Sequence, residues 1–172
     1  MKPEDLACLG RIKEQYGAAI NLAAMQYRHR PEVLAGIMLR ETRGGESSSL
    51  DVPGPSGRGD RGHGHGLMQI DDRSFPEFCA GDDWKSPAQN IMFAARILDG
   101  KRRSIVRLCI RHQPSIELPQ AELERAAVAA YNCGEGNVFK SIVEGKDVDA
   151  RTAHGDYSKT VLAYAEAYKE AL

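Results

Sequence analysis

Gly59-Asp-Arg-Gly-His-Gly-His-Gly-Leu-Met-Gln-Ile-Asp71 is the stretch of the sequence that says most about the fold. Its glycines let the backbone turn tightly. The brief apolar run from Leu67 to Ile70 then predicts a short strand or a buried turn, and no sizeable sheet. Acidic residues stand at both ends of this region, Asp60 near its start and Asp71 directly after the apolar run.

The residues before this run predict a long loop. Between positions 44 and 66 the chain combines three serines at 47–49, Pro53, Pro55 and repeated glycines, too many breakers for a helix or a central strand. A structureless stretch of that length inside a compact domain is usually functional or disordered. The loop is therefore a candidate for the functional site.

The rest of the chain has the spacing of amphipathic helices, with apolar residues at steps of three and four. Pro31 and the Ser86-Pro87-Ala88-Gln89 capping box indicate two helix starts, and Gly44 with Gly45 indicates a stop. The sequence contains no internal repeat and no domain boundary. The predicted helices span about residues 3–27, 31–43, 87–111 with a break at Gly100, 121–132, 137–143 and 156–171.

The composition is that of one ordinary soluble domain: 172 residues, 42% hydrophobic, with a net charge of −1. This charge argues against nucleic acid as a partner, because phosphate binding calls for a basic domain. No apolar run approaches the roughly 20 residues of a membrane-spanning helix. No signal-peptide core follows Met1. We therefore expect no membrane span, and the compartment stays open.

The cysteines Cys8, Cys79, Cys109 and Cys133 lie far apart in the sequence. Their spacing excludes a zinc ribbon and a thioredoxin-like redox motif. Whether they are buried thiols or disulfide-bonded is left open.

Glu41 is the strongest candidate for a catalytic acid. It falls on the apolar face of the second helix, three and four residues after Met38 and Ile37, and in the last helical turn. Burial and the negative end of the helix dipole both disfavour a carboxylate, so the pKa of Glu41 is expected to be raised. The competing interpretation is a structural ion pair with Arg40 or Arg43.

Asp60 and Asp71 extend this interpretation to glycoside hydrolysis. That reaction needs a buried acid that protonates the leaving oxygen and an ionised carboxylate that activates water. The alternative is that both are turn residues, which aspartate in glycine-rich segments usually is.

His63 and His65 alternate with glycines and, with Asp60 nearby, suggest metal ligands. No third and fourth ligand stands at the expected spacing. We therefore predict no metal site and no cofactor.

Four segments together resemble the goose-type lysozymes, which share a fold with the lytic transglycosylases. They occur in the family's order from about residue 30 to the end, and the segment from Asp60 to Asp71 is the most specific. The segments are Leu34-Ala-Gly-Ile-Met-Leu-Arg-Glu41-Thr-Arg, Gly59-Asp-Arg-Gly-His-Gly-His-Gly-Leu-Met-Gln-Ile-Asp71, Ala130-Tyr-Asn-Cys-Gly-Glu-Gly-Asn-Val138 and His154-Gly-Asp-Tyr157.

The resemblance implies a mainly α, lysozyme-like α+β fold in which a small β element lines a glycan-binding cleft. Glu41 takes the position of the family's catalytic acid. Asp60 and Asp71 take those of its water-positioning carboxylates. The residues expected to bind sugar are Gln69, Tyr131, Asn132 and Tyr157.

Some features depart from the family's pattern. Glu41 and Asp60 are further apart than usual, which predicts an inserted loop at 45–57. Phe75 stands where many members have histidine and Cys133 where alanine is usual, so one sugar subsite is in question. The cysteines do not match the disulfides of the secreted vertebrate enzymes, and no disulfide is carried over.

We expect one catalytic domain over residues 1–172, with an N-terminal helix within 1–28. The implied activity is hydrolysis, with inversion, of the β-1,4 bond between N-acetylmuramic acid and N-acetylglucosamine in peptidoglycan. The alternatives are a lytic transglycosylase that forms 1,6-anhydro ends and a catalytically silent glycan-binding module.

The implied partners are peptidoglycan glycan strands or chitin-like oligosaccharides, and a proteinaceous lysozyme inhibitor is a further candidate. We expect a monomer. The expected site of action is the bacterial cell wall, extracellular or periplasmic.

Overall fold

The computed structural model describes residues 1–171 and confirms a mainly helical fold with a small antiparallel sheet. The helices are α1 (Pro3–Tyr27), α2 (Pro31–Thr42), α3 (Pro76–Ala80), α4 (Pro87–His112), α5 (Gln120–Cys133), α6 (Glu135–Val143) and α7 (Tyr157–Glu170). The strands are β1 (Arg58–Gly59), β2 (Gly64–His65) and β3 (Ile70–Asp71).

The chain divides into two compact units. Unit 1 comprises residues 1–95 and those from 163 onward, and unit 2 comprises residues 96–162. That all 172 residues form one catalytic domain stays a prediction.

In unit 1, α1 packs against α2, and both helices begin with proline, which suits the first helical turn. Both also end at an arginine in the left-handed conformation, Arg28 and Arg43. Gly44 follows with φ +68°, so the predicted stop of the second helix is confirmed. The core of this unit includes Leu9, Ile12, Ile20, Leu34, Ile37, Met38, Leu67, Ile70 and Ile91.

The prediction of a structureless loop from 44 to 66 was wrong for its second half. Strands β1 and β2 lie within it and pair antiparallel, and β2 pairs with β3 in turn, giving the order β1-β2-β3. Each strand is two residues long, so the glycines and tight turns hid the pattern that strand prediction depends on. The apolar run after Gly66 forms a buried turn that leads into β3, as predicted.

The turn between β2 and β3 (residues 66–69) is clamped by Asn90 of α4. The Asn90 side chain is fully buried; its Oδ1 accepts the Met68 N–H at 2.9 Å and its Nδ2 donates to the His65 carbonyl at 3.0 Å. The Asn90 carboxamide thus satisfies two buried backbone groups at this turn, the Met68 N–H and the His65 carbonyl, in place of a neighbouring strand.

Unit 2 packs around a small apolar core. Parts of α4, α5 and α6 meet here, and the unit also contains a 3-10 turn at Val148–Arg151. The buried residues of this core are Ile105, Cys109, Ala126, Ala129, Ala130 and Val138.

Three helix predictions need correction. Helix α4 runs through Gly100 without a break, because one glycine costs a helix only about 1 kcal/mol and the flanking turns bury Leu98 and Ile105. Helix α6 begins at Glu135 instead of Asn137, directly after Gly134 with φ +83°. The five-residue helix α3 was not predicted, since it is too short to show a helical period.

Within residues 1–171, no helix combines the length and the apolar character needed to cross a membrane.

Gly66 provides a test of the clamp on the β2–β3 turn. Its φ is +73°, and a Cβ there would lie 2.5 Å from Asn90 Nδ2 and 2.7 Å from the Trp84 carbonyl oxygen. We expect Gly66→Ala to lower the free energy of unfolding by about 1–2 kcal/mol, because alanine disfavours the left-handed backbone. Overpacking by the added Cβ should lower it by a further 1–3 kcal/mol or so. Urea unfolding gives the free energy of unfolding.

Gly62→Ala is the matched control. Gly62 also has a positive φ, +96°, but a Cβ there would meet nothing within 4 Å. Gly62→Ala should therefore lose only the free energy of unfolding that the left-handed backbone costs. An equal fall in the free energy of unfolding in Gly66→Ala and Gly62→Ala would contradict the clamp.

Candidate active site

Glu41 lies in the last turn of α2 and is partly buried. Its helix is almost completely enclosed, since every residue from Val33 to Leu39 is buried. The predicted position in the last helical turn is therefore confirmed, whereas Glu41 itself is only partly buried and its raised pKa stays a prediction. Arg43, offered above as an ion-pair partner, binds Asp5 Oδ1 at 2.7 Å through Nη1.

Thr42 ties this end of α2 to the β2–β3 turn. Its hydroxyl donates to the Leu67 carbonyl oxygen at 2.7 Å and accepts the Gly45 N–H at 3.2 Å, and the residue is only 1% exposed. The residue next to Glu41 is thus bonded to the turn that carries Gln69 and leads to Asp71. Sequence reasoning missed this bond, because a threonine at a helix end has many local partners.

Asp60 and Asp71 are brought together by Arg73. One guanidinium donates from Nη2 to Asp60 Oδ2 at 2.6 Å and from Nε to Asp71 Oδ1 at 2.7 Å. Asp60 belongs to a 3-10 turn between β1 and β2, whereas Asp71 ends β3. The two predicted carboxylates therefore share one cation, although they come from different turns.

Asp71 is also bonded to Ser74, whose hydroxyl donates to Oδ2 at 2.7 Å. Burial of Asp71 on its own would raise its pKa, but the hydrogen bonds from Ser74 and Arg73 and the charge of Arg73 outweigh it and hold the pKa of Asp71 below its ordinary value. Asp71 is therefore an ionised carboxylate at neutral pH.

Gln69 folds back over the sheet in a left-handed conformation with φ +49°. Its Nε2 donates to the Gly66 carbonyl at 2.8 Å, and its Oε1 occupies the space that a Cβ at Gly59 or Gly64 would need. The side chain therefore supports the sheet, and its predicted role in sugar binding stays a prediction.

The two histidines of the glycine segment have protein partners. His63 Nδ1 lies 2.8 Å from Asp72 Oδ1, and His65 Nδ1 lies 3.0 Å from the His63 carbonyl oxygen. His65 also packs edge-on against Trp84. Among residues 1–171, no group of three or more His, Cys, Asp or Glu side chains is placed to hold a metal ion.

The candidate sugar-binding residues of unit 2 differ in exposure. Asn132 is exposed, and its Oδ1 accepts the Ala153 N–H at 2.8 Å. Tyr131 is partly buried, whereas Tyr157 is only 2% exposed. This burial favours the core-aromatic interpretation for Tyr157, and a sugar contact of either tyrosine stays a prediction.

Asp149 is a buried carboxylate of unit 2 that sequence reasoning did not identify. It is fully buried and accepts the Ser158 N–H at 2.8 Å, the Ser158 hydroxyl at 2.7 Å and the Lys159 N–H at 3.2 Å. A carboxylate at the start of α7 is stabilised by the exposed N–H groups and the helix dipole. The signal in the sequence was a single acidic residue ahead of a helix, which is too common to be specific.

The four cysteines, all within the described residues, are free thiols. Burial raises the pKa of the Cys79 thiol to about 11, helped by the charges of Asp72 and Asp71. These thiols are therefore protonated and unreactive at neutral pH.

Thr42→Val tests the bond between α2 and the β2–β3 turn. Valine keeps the shape but removes the hydroxyl, which leaves the Leu67 carbonyl without its donor. We expect the free energy of unfolding in urea to fall by about 1–3 kcal/mol. Thr42→Ser keeps the hydroxyl and should lose only about 0.8 kcal/mol for the methyl group. A Thr42→Val protein as stable as the wild type would show that the bond contributes nothing.

Comparison with known proteins identifies the family of this chain. The family model described as Lysozyme g matches residues 5–171. Lysozyme g of Struthio camelus is 30% identical over 157 residues, which cover 91% of this chain and 67% of the relative. Lysozyme g of Takifugu rubripes is 34% identical over 160 residues, covering 91% and 75%, and that of Gallus gallus is 34% identical over 140 residues, covering 81% and 57%. With a match over nearly its whole length, the chain belongs to the lysozyme g family and is a glycoside hydrolase.

Proposed function

We propose that this hydrolase cleaves the β-1,4 bond between N-acetylmuramic acid and N-acetylglucosamine in peptidoglycan, with inversion at the anomeric carbon. The observation that carries the proposal is the carboxylate pair of Asp60 and Asp71, held by Arg73 and belonging to the same small sheet that Thr42 bonds to the end of α2. This arrangement supports an acid on the helix and a carboxylate pair on the sheet.

Glu41 is the proposed general acid. It would protonate the glycosidic oxygen as the bond to the leaving sugar breaks. Its position at the carboxyl end of α2 favours the protonated form, because the negative end of a helix dipole destabilises a carboxylate.

Asp71, assisted by Asp60, is proposed to hold a water on the opposite face of the sugar and to take its proton. Inversion requires the acid and the base to stand about 6.5–9.5 Å apart, so that the water fits between base and sugar. The low pKa of Asp71 keeps it ionised, as the base role requires, whereas the acid role of Glu41 requires its protonated form. Such divergence between two carboxyl groups is how acid and base roles are separated at one pH.

Four polar side chains are proposed to bind the sugars. Asn132 uses its Oδ1 for the Ala153 N–H, which leaves the Nδ2 amide to donate to a hydroxyl or N-acetyl group. Tyrosine rings cover apolar sugar faces while their hydroxyls form hydrogen bonds. The set comprises Gln69, Tyr131, Asn132 and Tyr157.

The proposed substrate is a peptidoglycan glycan strand or a chitin-like oligosaccharide, cleaved outside the cytoplasm in the extracellular space or periplasm. The enzyme acts as a monomer without a cofactor, since acid/base hydrolysis with paired carboxylates needs none. A proteinaceous lysozyme inhibitor is a further proposed partner.

Mass spectrometry of the products released from purified peptidoglycan tests the reaction type. Hydrolysis yields reducing-end muramic acid, whereas a lytic transglycosylase yields anhydro ends that are lighter by one water. Glu41→Gln keeps the shape of the side chain but cannot donate a proton as an acid, so we expect product release to fall by at least about 10²-fold. Its circular dichroism and unfolding curve should match those of the wild type.

Either of two results would contradict the proposal. Products with anhydro ends would show that the enzyme is a lytic transglycosylase and not a hydrolase. Tight binding to peptidoglycan with no soluble product from the wild type would indicate a silent glycan-binding module.

Asp71→Asn tests the water-activating role. A hydrolase that uses Asp71 should lose most of its rate, about 10²-fold or more, with little change in KM. Asp72→Asn is the matched control, since Asp72 is the adjacent carboxylate but pairs with His63 instead of Arg73. Turnover that survives in Asp71→Asn would exclude Asp71 from the mechanism.

A further inference from the structure

Arg73 lies two residues beyond β3, in a turn anchored on the Asp71 carbonyl oxygen. That oxygen accepts the Ser74 N–H at 3.2 Å and the Phe75 N–H at 2.9 Å. The turn directs the Arg73 side chain back toward the sheet, where Nε contacts Asp71 and Nη2 contacts Asp60. A further contact of the Asp71 carboxylate, the Ser74 hydroxyl, comes from the same turn.

We propose that Arg73 is a positioning residue for hydrolysis: its guanidinium spaces and orients the Asp60 and Asp71 carboxylates, so that together they hold the attacking water. This inference rests on the proposed function. Arg73 acts through the two aspartates and does not touch the reacting atoms.

Charge explains why a cation is needed at this point. Two carboxylates in close proximity disfavour each other's ionisation, and one of them then takes up a proton. A guanidinium that contacts both carboxylates offsets that repulsion. Without it, the hydrogen bond and the charge that lower the pKa of Asp71 would be lost, and that pKa would rise.

Shape explains why that cation is arginine. The guanidinium is flat and rigid, and its Nε and Nη2 donors point in fixed directions, so that binding one carboxylate fixes where the other must lie. A lysine ammonium carries the same charge as a point without fixed directions. Arg73→Lys should therefore restore the positive charge but not the fixed spacing of the Asp60 and Asp71 carboxylates.

The backbone conformation around Asp60 also requires a restraining contact from elsewhere in the structure. Asp60 and Arg61 both adopt left-handed conformations, with φ +46° and +57°. Such conformations persist in residues other than glycine only where the surroundings impose them. The Asp60 side chain is 62% exposed, so its bond to Arg73 is the main restraint on its direction.

The other charged groups near Asp71 do not supply this cation. Asp72 pairs with His63, which directly precedes β2, and the Cys79 thiol of α3 donates to the Ile70 carbonyl oxygen at 3.7 Å. Glu77, the only charged residue of α3, is exposed and negative. The pH dependence of the carboxylate pair should therefore follow Arg73.

The test compares Arg73→Gln and Arg73→Lys by the pH dependence of kcat on peptidoglycan fragments. Loss of the cation raises the pKa of Asp71, so the acidic limb of the profile should move to higher pH in Arg73→Gln. We expect kcat at the optimum to fall between about tenfold and a hundredfold, less than the full acid/base contribution, with KM unchanged. Arg73→Lys should restore the acidic limb but only part of kcat.

Two further measurements separate positioning from a merely structural role. A 13C NMR titration of the carboxyl groups should show the pKa of Asp71 rising in Arg73→Gln, independently of activity. Arg58→Gln removes a similar exposed pair, Arg58 with Asp51 at 2.8 Å on β1, and should leave the pH profile unchanged.

Three outcomes would overturn the inference. An Arg73→Gln enzyme with the wild-type profile, alongside an inactive Asp71→Asn, overturns it and leaves the proposed function standing. An equal loss of kcat at every pH, unrescued by lysine and matched by lower stability, reduces Arg73 to a structural residue. Full activity of Asp71→Asn overturns both the inference and the proposed function.

Discussion

The buried hydrogen bond from the Thr42 hydroxyl to the Leu67 carbonyl oxygen is the constraint on which the site depends. Thr42 follows Glu41 directly, and Leu67 lies in the turn that leads through Gln69 to Asp71. A lost donor here would leave a buried carbonyl unsatisfied, which costs more than the bond itself contributes. The other side of the same turn is held by Asn90. Neutral hydrogen bonds in the core thus fix the position of helix α2 relative to the sheet. Such bonds are insensitive to pH and salt.

The charged part of the site has a different physical basis. Asp60, Asp71 and Arg73 lie at the partly exposed edge of the sheet, where ion pairs are screened and contribute little to stability. Their value is electrostatic control, because the same contacts hold the pKa of Asp71 low. Glu41 stands in a different position, partly buried in the last turn of α2. The proposed acid and the proposed base thus come from different elements, a helix end and a sheet edge, and acid/base hydrolysis requires that such environments set their pKa values apart.

Local signals explain which parts of this structure were predictable. Pro31, Gly44 and the helical period fixed α2, and the serine and proline at 86–87 fixed the start of α4, where the Gln89 N–H donates to Ser86 Oγ at 3.5 Å. Glu41, Asp60 and Asp71 were predicted as a set; Arg73 joins the two aspartates, and the grouping of Glu41 with them stays a prediction. Arg73 was not predicted, because its role depends on Asp60, thirteen residues away along the chain. Thr42 and Asn90 were missed for the same reason, since their partners lie 25 and 22–25 residues away.

In unit 2 the organising group is a buried charge. Asp149 has no exposed surface, yet it binds the first N–H groups of α7, and Arg125 lies 3.5 Å from it while also pairing with Asp147. Removing a carboxylate from water is costly, so such a group contributes little net stability but specifies one arrangement strongly, because few other conformations satisfy it. The segment that it fixes runs through His154, strained at φ +62°, to Tyr157, and its Ala153 N–H binds Asn132. Asn132 and Tyr157, two of the four residues proposed to bind sugar, therefore depend for their position on a carboxylate that is not part of the proposed acid/base machinery, because Asn132 contacts the segment that Asp149 fixes and Tyr157 ends it.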